Sequence, residues 1–197
     1  MRRLTDILFS IVCLVLLTPV ILLICAVLRL SSRDPIIYVQ ERVGRDGRLF
    51  RLYKFRTMRV GRKPGEDSPL TVRDDPRVTR IGRLLRRLRF DEIPQLLNIL
   101  KSDMTIVGPR PEVPRYVEHY KDWMTAVLDY KPGLTDPASL EYRRESGILA
   151  GADDPESFYV DTILPAKLRI SLEYQSKRTI LSDMRVILRT TAIIIGL

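Results

Sequence analysis

Two adjacent carboxylates, Asp91 and Glu92, close an arginine-rich stretch holding Arg83, Arg86, Arg87 and Arg89, and open an apolar run. A carboxylate set among fixed cations can attack phosphorus or hold a metal ion, because the cations screen repulsion between an anionic nucleophile and a phosphate. The same pair also reads as an ordinary helix start, since aspartate is a favoured N-cap and a following glutamate complements the helix dipole. Either way Asp91 falls at the N-cap of a helix expected from Glu92 through Lys101. Ile93, Leu96, Leu97 and Leu100 form one stripe there, and Pro94 is tolerable in the first turn. A helix N-terminus also attracts anions, and Arg86 stands about one and a half turns before Asp91.

Three further cations are candidates for holding phosphate. Arg110 lies in Gly108-Pro109-Arg110-Pro111, where the prolines fix φ and present the guanidinium on a rigid backbone. A structural turn with a solvated arginine is the alternative. Lys54 and Arg56 end an apolar and aromatic strand, facing either the same site or solvent. Other machineries are missing: the chain has no GxxxxGK[ST] phosphate loop and no GxGxxG dinucleotide loop. One histidine, His119, leaves little room for a Ser-His-Asp triad, and its polar surroundings read as surface. The two cysteines, Cys13 and Cys25, both sit in the apolar stretch, about 18 Å apart on a helix, too far for a disulfide.

The elements that position these groups follow from pattern. A chain of 197 residues, 45% hydrophobic, supports one core plus a membrane segment: an anchor over 1–33 and one folded domain over 34–197, expected to carry the chemistry. A net charge of +9 suits an anionic partner such as lipid headgroups, nucleotide phosphates or nucleic acid. Ile7 to Leu28 carries no charge and is long enough to enter or cross a bilayer about 30 Å thick. It exceeds a signal-peptide core, and no small-x-small cleavage site follows it. Arg2 and Arg3 precede it while Arg29 and Arg33 follow, so both ends read as cytoplasmic. Thr18-Pro19 near its middle predicts a break and a re-entrant hairpin in place of a span.

Residues 36–58 read as a β-hairpin turning at Arg45-Asp46-Gly47, and 61–76 as a polar loop that could close as a lid. Helix is expected again from Arg77, with Ile81, Leu84, Leu85 and Leu88 on one face and arginines around the rest, amphipathic enough to lie on anionic lipid. A further helix is expected from Arg115 to Asp129. The C-terminal third reads as helical, ending in a segment from Ile180 that is either interfacial or core.

The run TRIGRLLRRLRFDEIPQLLNILKSDMTIVGPRPE, with KFRTM upstream and KPGLT downstream, resembles the bacterial sugar transferases called small monotopic phosphoglycosyl transferases. The likeness reaches from the apolar segment through residue 135, with a weaker echo in LPAKLRISLEYQSKRTILSDMRVILRT. It implies an α+β, mostly helical fold. An N-terminal re-entrant membrane helix, a small β-hairpin and amphipathic interfacial helices surround a compact catalytic domain in the minimal unit of the family. It further implies Mg²⁺ and transfer of a phosphosugar from a UDP-sugar to undecaprenyl phosphate at the bacterial inner membrane, releasing UMP. Asp91 is then the nucleophile that becomes covalently loaded, and Glu92 completes the dyad. Either or both hold the metal. Arg86, Arg110, Lys54 and Arg56 bind phosphate, and Thr18 and Pro19 break the membrane helix. After KPGLT the chain reads DPASLEYRRE where many relatives have WAQV and a Gly-Arg pair, which leaves the sugar open; Arg143 or Arg144 replaces the missing cation.

Two other functions stay in view. A membrane-tethered nucleic-acid binder explains the charge, but aromatic residues make up only 7% of the chain and do not interleave with the basic ones as a stacking platform needs. A structural peripheral protein coating anionic lipid explains the amphipathic helices without using Asp91. The transferase reading expects a UDP-sugar, a polyprenyl phosphate and anionic lipid as partners and no nucleic acid, and leaves room for a homodimer.

Overall fold

The computed structural model describes residues 2–60 and 70–194. It is mostly helical, with small sheets and a long apolar helix at the start. That helix, α1, spans Arg2–Ser31 and is long and apolar enough to cross a membrane. It runs unbroken through Thr18 and Pro19, correcting the expected break. Proline deletes one amide donor, but the hydrogen bonds of neighbouring turns carry the helix past it. The Thr18 hydroxyl bonds back to the Leu14 carbonyl at 2.8 Å, within that same weakened turn.

One stripe of α1, including Leu14, Leu17, Ile21, Ile24 and Leu28, packs on the rest of the molecule, while Leu8, Val15, Leu16, Leu23 and Leu30 are exposed. Polar ties fix its start: Arg3 donates to the carbonyls of Ile99 and Leu100, and Asp6 accepts from the Thr105 hydroxyl at 2.7 Å.

Strands β1 (Ile37–Val43) and β2 (Leu49–Phe55) form the expected hairpin, paired from Ile37 with Phe55 to Val43 with Leu49. Asp46 and Gly47 make the turn at positive φ, 58° and 73°, a conformation that aspartate tolerates and glycine adopts freely. Most of the expected 61–76 loop lies outside the described residues; positions 70–76 are irregular.

Helix α2 (Arg80–Arg87) begins three residues beyond the expected Arg77. Val78 bridges to Met58, and the Thr79 hydroxyl caps the helix by accepting from the Gly82 amide at 2.9 Å. At Gly82 the helix lies directly on the backbone of Thr57: a Cβ there would stand 2.1 Å from the Thr57 carbonyl oxygen. Of the predicted stripe, Leu85 is buried but Leu84 is 56% exposed.

Arg89 then takes a left-handed conformation, φ 57°, and Phe90–Glu92 form a 3-10 turn before α3 (Gln95–Leu100). The expected helix therefore starts late, and Asp91 is not its N-cap. The amides of Glu92 and Ile93 bond three residues back, to Arg89 and Phe90, and Pro94 takes the cap position without a side-chain acceptor.

Strand β3 (Thr105–Val107) pairs in parallel with β4 (Gly133–Thr135). Gly108 and Gly133 meet backbone to backbone, where a Cβ on Gly133 would lie 2.1 Å from the Gly108 nitrogen. The helix expected over 115–129 is divided into α4 (Pro114–Val117), α5 (Asp122–Thr125) and a 3-10 turn. Burying Tyr116, Met124 and Val127 in one cluster overrides continuous helical periodicity. Then come α6 (Pro137–Glu141), α7 (Glu145–Leu149), α8 (Pro155–Phe158), a π-turn, α9 (Leu164–Ser176) and α10 (Ile180–Ile194). In α10 Val186 is buried, whereas Leu181, Met184 and Leu188 are exposed.

Two apolar clusters hold the fold. One joins α1, the hairpin, α2, α3, β3 and α10; the other gathers Val113, Tyr116, Leu149, Tyr159 and Leu168.

Candidate active site

Residues from both clusters line an open cavity of about 900 Å³, with Asp91 and Glu92 on its wall. The left-handed turn at Arg89 and the 3-10 turn after it turn both carboxylates toward this space from between α2 and α3. Lys54 reaches it from the end of β2, Arg86 from the last turn of α2, and Arg110 from the proline-flanked segment after β3.

The adjacent carboxylates have opposite environments. Glu92 Oε1 accepts from Arg110 at 2.7 Å and from the Lys54 ammonium at 3.0 Å, and Arg89 lies 3.8 Å from Oε2. Burial alone would raise the Glu92 carboxyl, but Arg110, Lys54 and Arg89 outweigh it and hold the group well below the usual carboxylate range. Glu92 in turn raises Arg110 further. Burial lowers Lys54 despite that partner. Asp91 is equally buried, yet its Oδ1 has no hydrogen-bond partner among the described residues. Burial and then the Glu92 charge raise its carboxyl, against the pull of Lys54, Arg86 and Arg89. The pair thus comprises one anion saturated with cations and one whose oxygen is uncommitted. That combination suits attack on an electrophile drawn in by the same cations.

Among the described residues Arg86 is aimed by one hydrogen bond, its Nε donating to the Thr57 hydroxyl at 2.8 Å, and burial lowers its pKa. Arg56 lines the cavity but is otherwise engaged: its Nε donates to the Pro35 carbonyl at 2.7 Å, and its guanidinium stands 5.6 Å over the Tyr38 ring. Thr18 and Pro19 lie in α1, outside the cavity lining, and His119 is exposed. Arg143 lines the cavity and Arg144 does not.

Among the described residues no three acidic, histidine or cysteine side chains cluster as a metal site. Mg²⁺ needs no such cluster, because it binds through one or two carboxylates plus substrate phosphates. The unpartnered Asp91 oxygen fits that role, while Glu92 Oε1 is already taken by two cations.

Sequence reasoning passed over several lining groups, Thr57, Arg42, Glu112, Tyr159 and Lys167, and named Arg89 only as one of the four arginines before the dyad. Thr57 and Glu112 carried a signal, since they extend the Lys54–Arg56 and Pro109–Pro111 motifs by one residue. Lys167 lies in the LPAKLRI stretch of weaker likeness, which does not single it out, and Tyr159 carried no signal; tertiary packing brings both in.

Residues 1–196 match the sequence model of the family described as bacterial sugar transferase. The chain is 34% identical over 195 residues, 96% of its length, to the undecaprenyl-phosphate glucose phosphotransferase of Komagataeibacter xylinus, of which it spans 35%. It is 32% identical over 189 residues, 92% of its length, to the UDP-N-acetylgalactosamine-undecaprenyl-phosphate N-acetylgalactosaminephosphotransferase of Aeromonas hydrophila, spanning 44% of that protein. Over 192 residues, 96% of the chain, it is 32% identical to the UDP-glucose:undecaprenyl-phosphate glucose-1-phosphate transferase of Caulobacter vibrioides, spanning 67%. The sugars in these names differ at nearly equal identity.

Proposed function

The chain belongs to the bacterial sugar transferase family, and on that basis we propose that it transfers a phosphosugar from a UDP-sugar to undecaprenyl phosphate, releasing UMP. The observation that carries this reading is the buried Asp91 carboxylate, with one oxygen free of partners beside a Glu92 saturated by Lys54 and Arg110.

The diphosphate of the donor enters the cationic end of the cavity and is held by Arg86, Arg89, Arg110 and Lys54. A carboxylate oxygen of Asp91 attacks the sugar-bearing phosphorus, and the bond from that phosphorus to the oxygen of the α-phosphate breaks. UMP leaves with the electron pair, and the phosphosugar stays on Asp91 as a mixed anhydride. A phosphate oxygen of the lipid then attacks the same phosphorus, the Asp91 linkage breaks, and the polyprenyl diphosphosugar is formed. Mg²⁺, held by Asp91 and phosphate oxygens, would supply further neutralisation of the diphosphate. Glu92 keeps Lys54 and Arg110 aimed at the phosphates, which fits its place in the dyad better than a second attacking role.

The lipid acceptor calls for a site at the membrane, and we read α1 as entering the cytoplasmic leaflet without crossing it. Arg3 and Asp6 at one end bind α3 and β3, and Ile24 and Leu28 near the other end lie in the same cluster as Leu85 and Ile93. A spanning helix would put those ends on opposite sides of about 30 Å of hydrocarbon. The exposed leucines of α1 and α10 then face lipid, with flanking arginines near anionic headgroups. Cysteines placed singly at positions 3 and 33 of a chain lacking Cys13 and Cys25 are expected to react with an impermeant reagent from the cytoplasmic side only; labelling from opposite sides refutes the topology.

The activity test is UMP release by detergent-solubilised protein from a panel of UDP-sugars with Mg²⁺ and undecaprenyl phosphate. Wild type is expected to need the lipid for turnover, and Asp91→Asn to release nothing. A phosphosugar adduct on Asp91, trapped without lipid and located by mass spectrometry, confirms the covalent step. Full release from Asp91→Asn overturns the nucleophile assignment.

A further inference from the structure

Beyond the dyad, the same cavity is lined by a buried ionic network that the phosphate chemistry does not use. Tyr159 Oη donates to Glu112 Oε1 at 2.6 Å, and the Lys167 ammonium donates to Glu145 Oε2 at 2.7 Å and to Tyr159 Oη at 3.5 Å. Arg42 lies 3.7 Å from Glu112 Oε2, its own guanidinium tied to Gln40 and the Pro111 carbonyl. Glu112, Tyr159 and Lys167 are each less than a tenth exposed. Such networks stabilise a fold weakly or not at all, because desolvating each charge offsets most of the attraction. An apolar wall would have closed this part of the core at lower cost.

The valences are incomplete on the side that meets the cavity. An ammonium has three donors, and Lys167 commits two of them; Glu145 is a quarter exposed, and only its Oε2 is engaged among the described residues. A donor and an acceptor thus stand side by side, as needed to bind neighbouring hydroxyls that each donate and accept. Glu112 follows Arg110 by two residues on one proline-flanked segment, so that segment joins the phosphate end of the cavity to this network. In the proposed reaction the sugar is joined through oxygen to the phosphorus that Asp91 attacks, which would put it on the side of the phosphate site where Arg110 leads to Glu112. A nucleobase stacked at this network would need an open aromatic face on Tyr159. Tyr159 offers none, with Tyr116 packed against it at 5.0 Å and Lys167 lying 5.2 Å over its ring.

We propose that Glu145 and Lys167, braced by Tyr159 and Glu112, bind hydroxyl groups of the donor's sugar ring and set which UDP-sugar is accepted. The proposal rests on the transferase reading and adds a specificity site to it. The effect expected is large, because a site that hydrogen-bonds a hydroxyl rejects a donor that cannot match it.

The test compares wild type, Glu145→Gln and Lys167→Met in full-length protein. The readouts are kcat/KM for UDP-glucose, UDP-galactose and their two 2-acetamido counterparts, and the inhibition constant of UDP, which lacks the sugar carried on the β-phosphate. In both variants the preferred donor should lose on the order of tenfold or more in kcat/KM, the spread among epimers should narrow, and UDP inhibition should stay within about twofold. Glu145 is partly exposed, so its variant keeps the test decisive if Lys167→Met does not fold. UDP inhibition weakening in step with kcat/KM would assign the network to the nucleoside or phosphates and overturn the proposal. So would an equal loss for every donor, or no change in preference. A wild-type protein that neither releases UMP from any donor nor binds UDP fails the transferase reading itself, an outcome separate from those three.

Discussion

In the proposed mechanism Asp91 is tuned for reaction at the expense of stability. Its folded-state pKa is raised by burial and by Glu92, so the folded protein holds that proton more tightly than the unfolded chain does. Above the raised pKa the ionised carboxylate therefore subtracts from stability; below the unfolded pKa the penalty is gone. Asp91→Asn is expected to remove activity by about 10³-fold or more. It is also expected to raise the thermal midpoint at pH 7 by a few degrees, roughly 1 kcal/mol. The gain should shrink as melts are repeated at lower pH; a midpoint that falls at pH 7 argues against this account. Arg110→Lys tests the neighbouring residue. A point charge on a shorter reach cannot both keep the bond that Arg110 Nη2 makes to Glu92 Oε1 at 2.7 Å and offer a planar face of donors to phosphate, so kcat/KM should drop about 10²-fold with little change in midpoint.

Among elements, α2 is the one whose placement matters most, because it delivers Arg86 and leads into the dyad turn. Gly82→Ala would drive a methyl into the Thr57 carbonyl, displacing α2 and the threonine that aims Arg86. The expected loss is about 3 kcal/mol, read by denaturant unfolding, together with weakened donor binding. Thr57→Val probes the aim alone: it keeps the shape, removes the acceptor at 2.8 Å, and should lower kcat/KM while unfolding near the wild-type midpoint.

The hairpin and its Asp46-Gly47 turn were legible in sequence, because alternation and turn chemistry are local. So were Asp91, Glu92, Lys54, Arg86 and Arg110 as site candidates, since each stands in a compact motif that the structure brings to one cavity. The form of the dyad was not legible. A dipeptide before an apolar stripe signals an N-cap, and only the left-handed Arg89 and the i+3 bonds after it convert that cap into a 3-10 turn. Tyr159 escaped for a different reason: it reaches Glu112 across 47 residues of sequence, and no local pattern encodes a long-range contact; Lys167 joins the network through Tyr159 and Glu145.

For the molecule as a whole, the buried Asp75 couples the loop before α2 to pH. Burial would raise its carboxyl, but the bonds from the Arg77 side chain and amide prevail and set it below the ordinary range. A depressed folded pKa stabilises fully above the unfolded value and is lost as pH falls through the folded one. Asp75→Asn should therefore lower the midpoint at neutral pH and converge with wild type in acid; parallel curves across that window would exclude the linkage.

The docking of α1 has a consequence for how the protein is made. Arg3 finds its carbonyl partner at Ile99, 96 residues later in synthesis. During translation the apolar segment therefore leaves the ribosome long before the surface that will hold it exists, and its orientation must be kept meanwhile by flanking arginines alone. On the proposed membrane placement, targeting, insertion and folding become ordered events: the lipid would receive the helix first, and the rest of the chain would close over it afterwards.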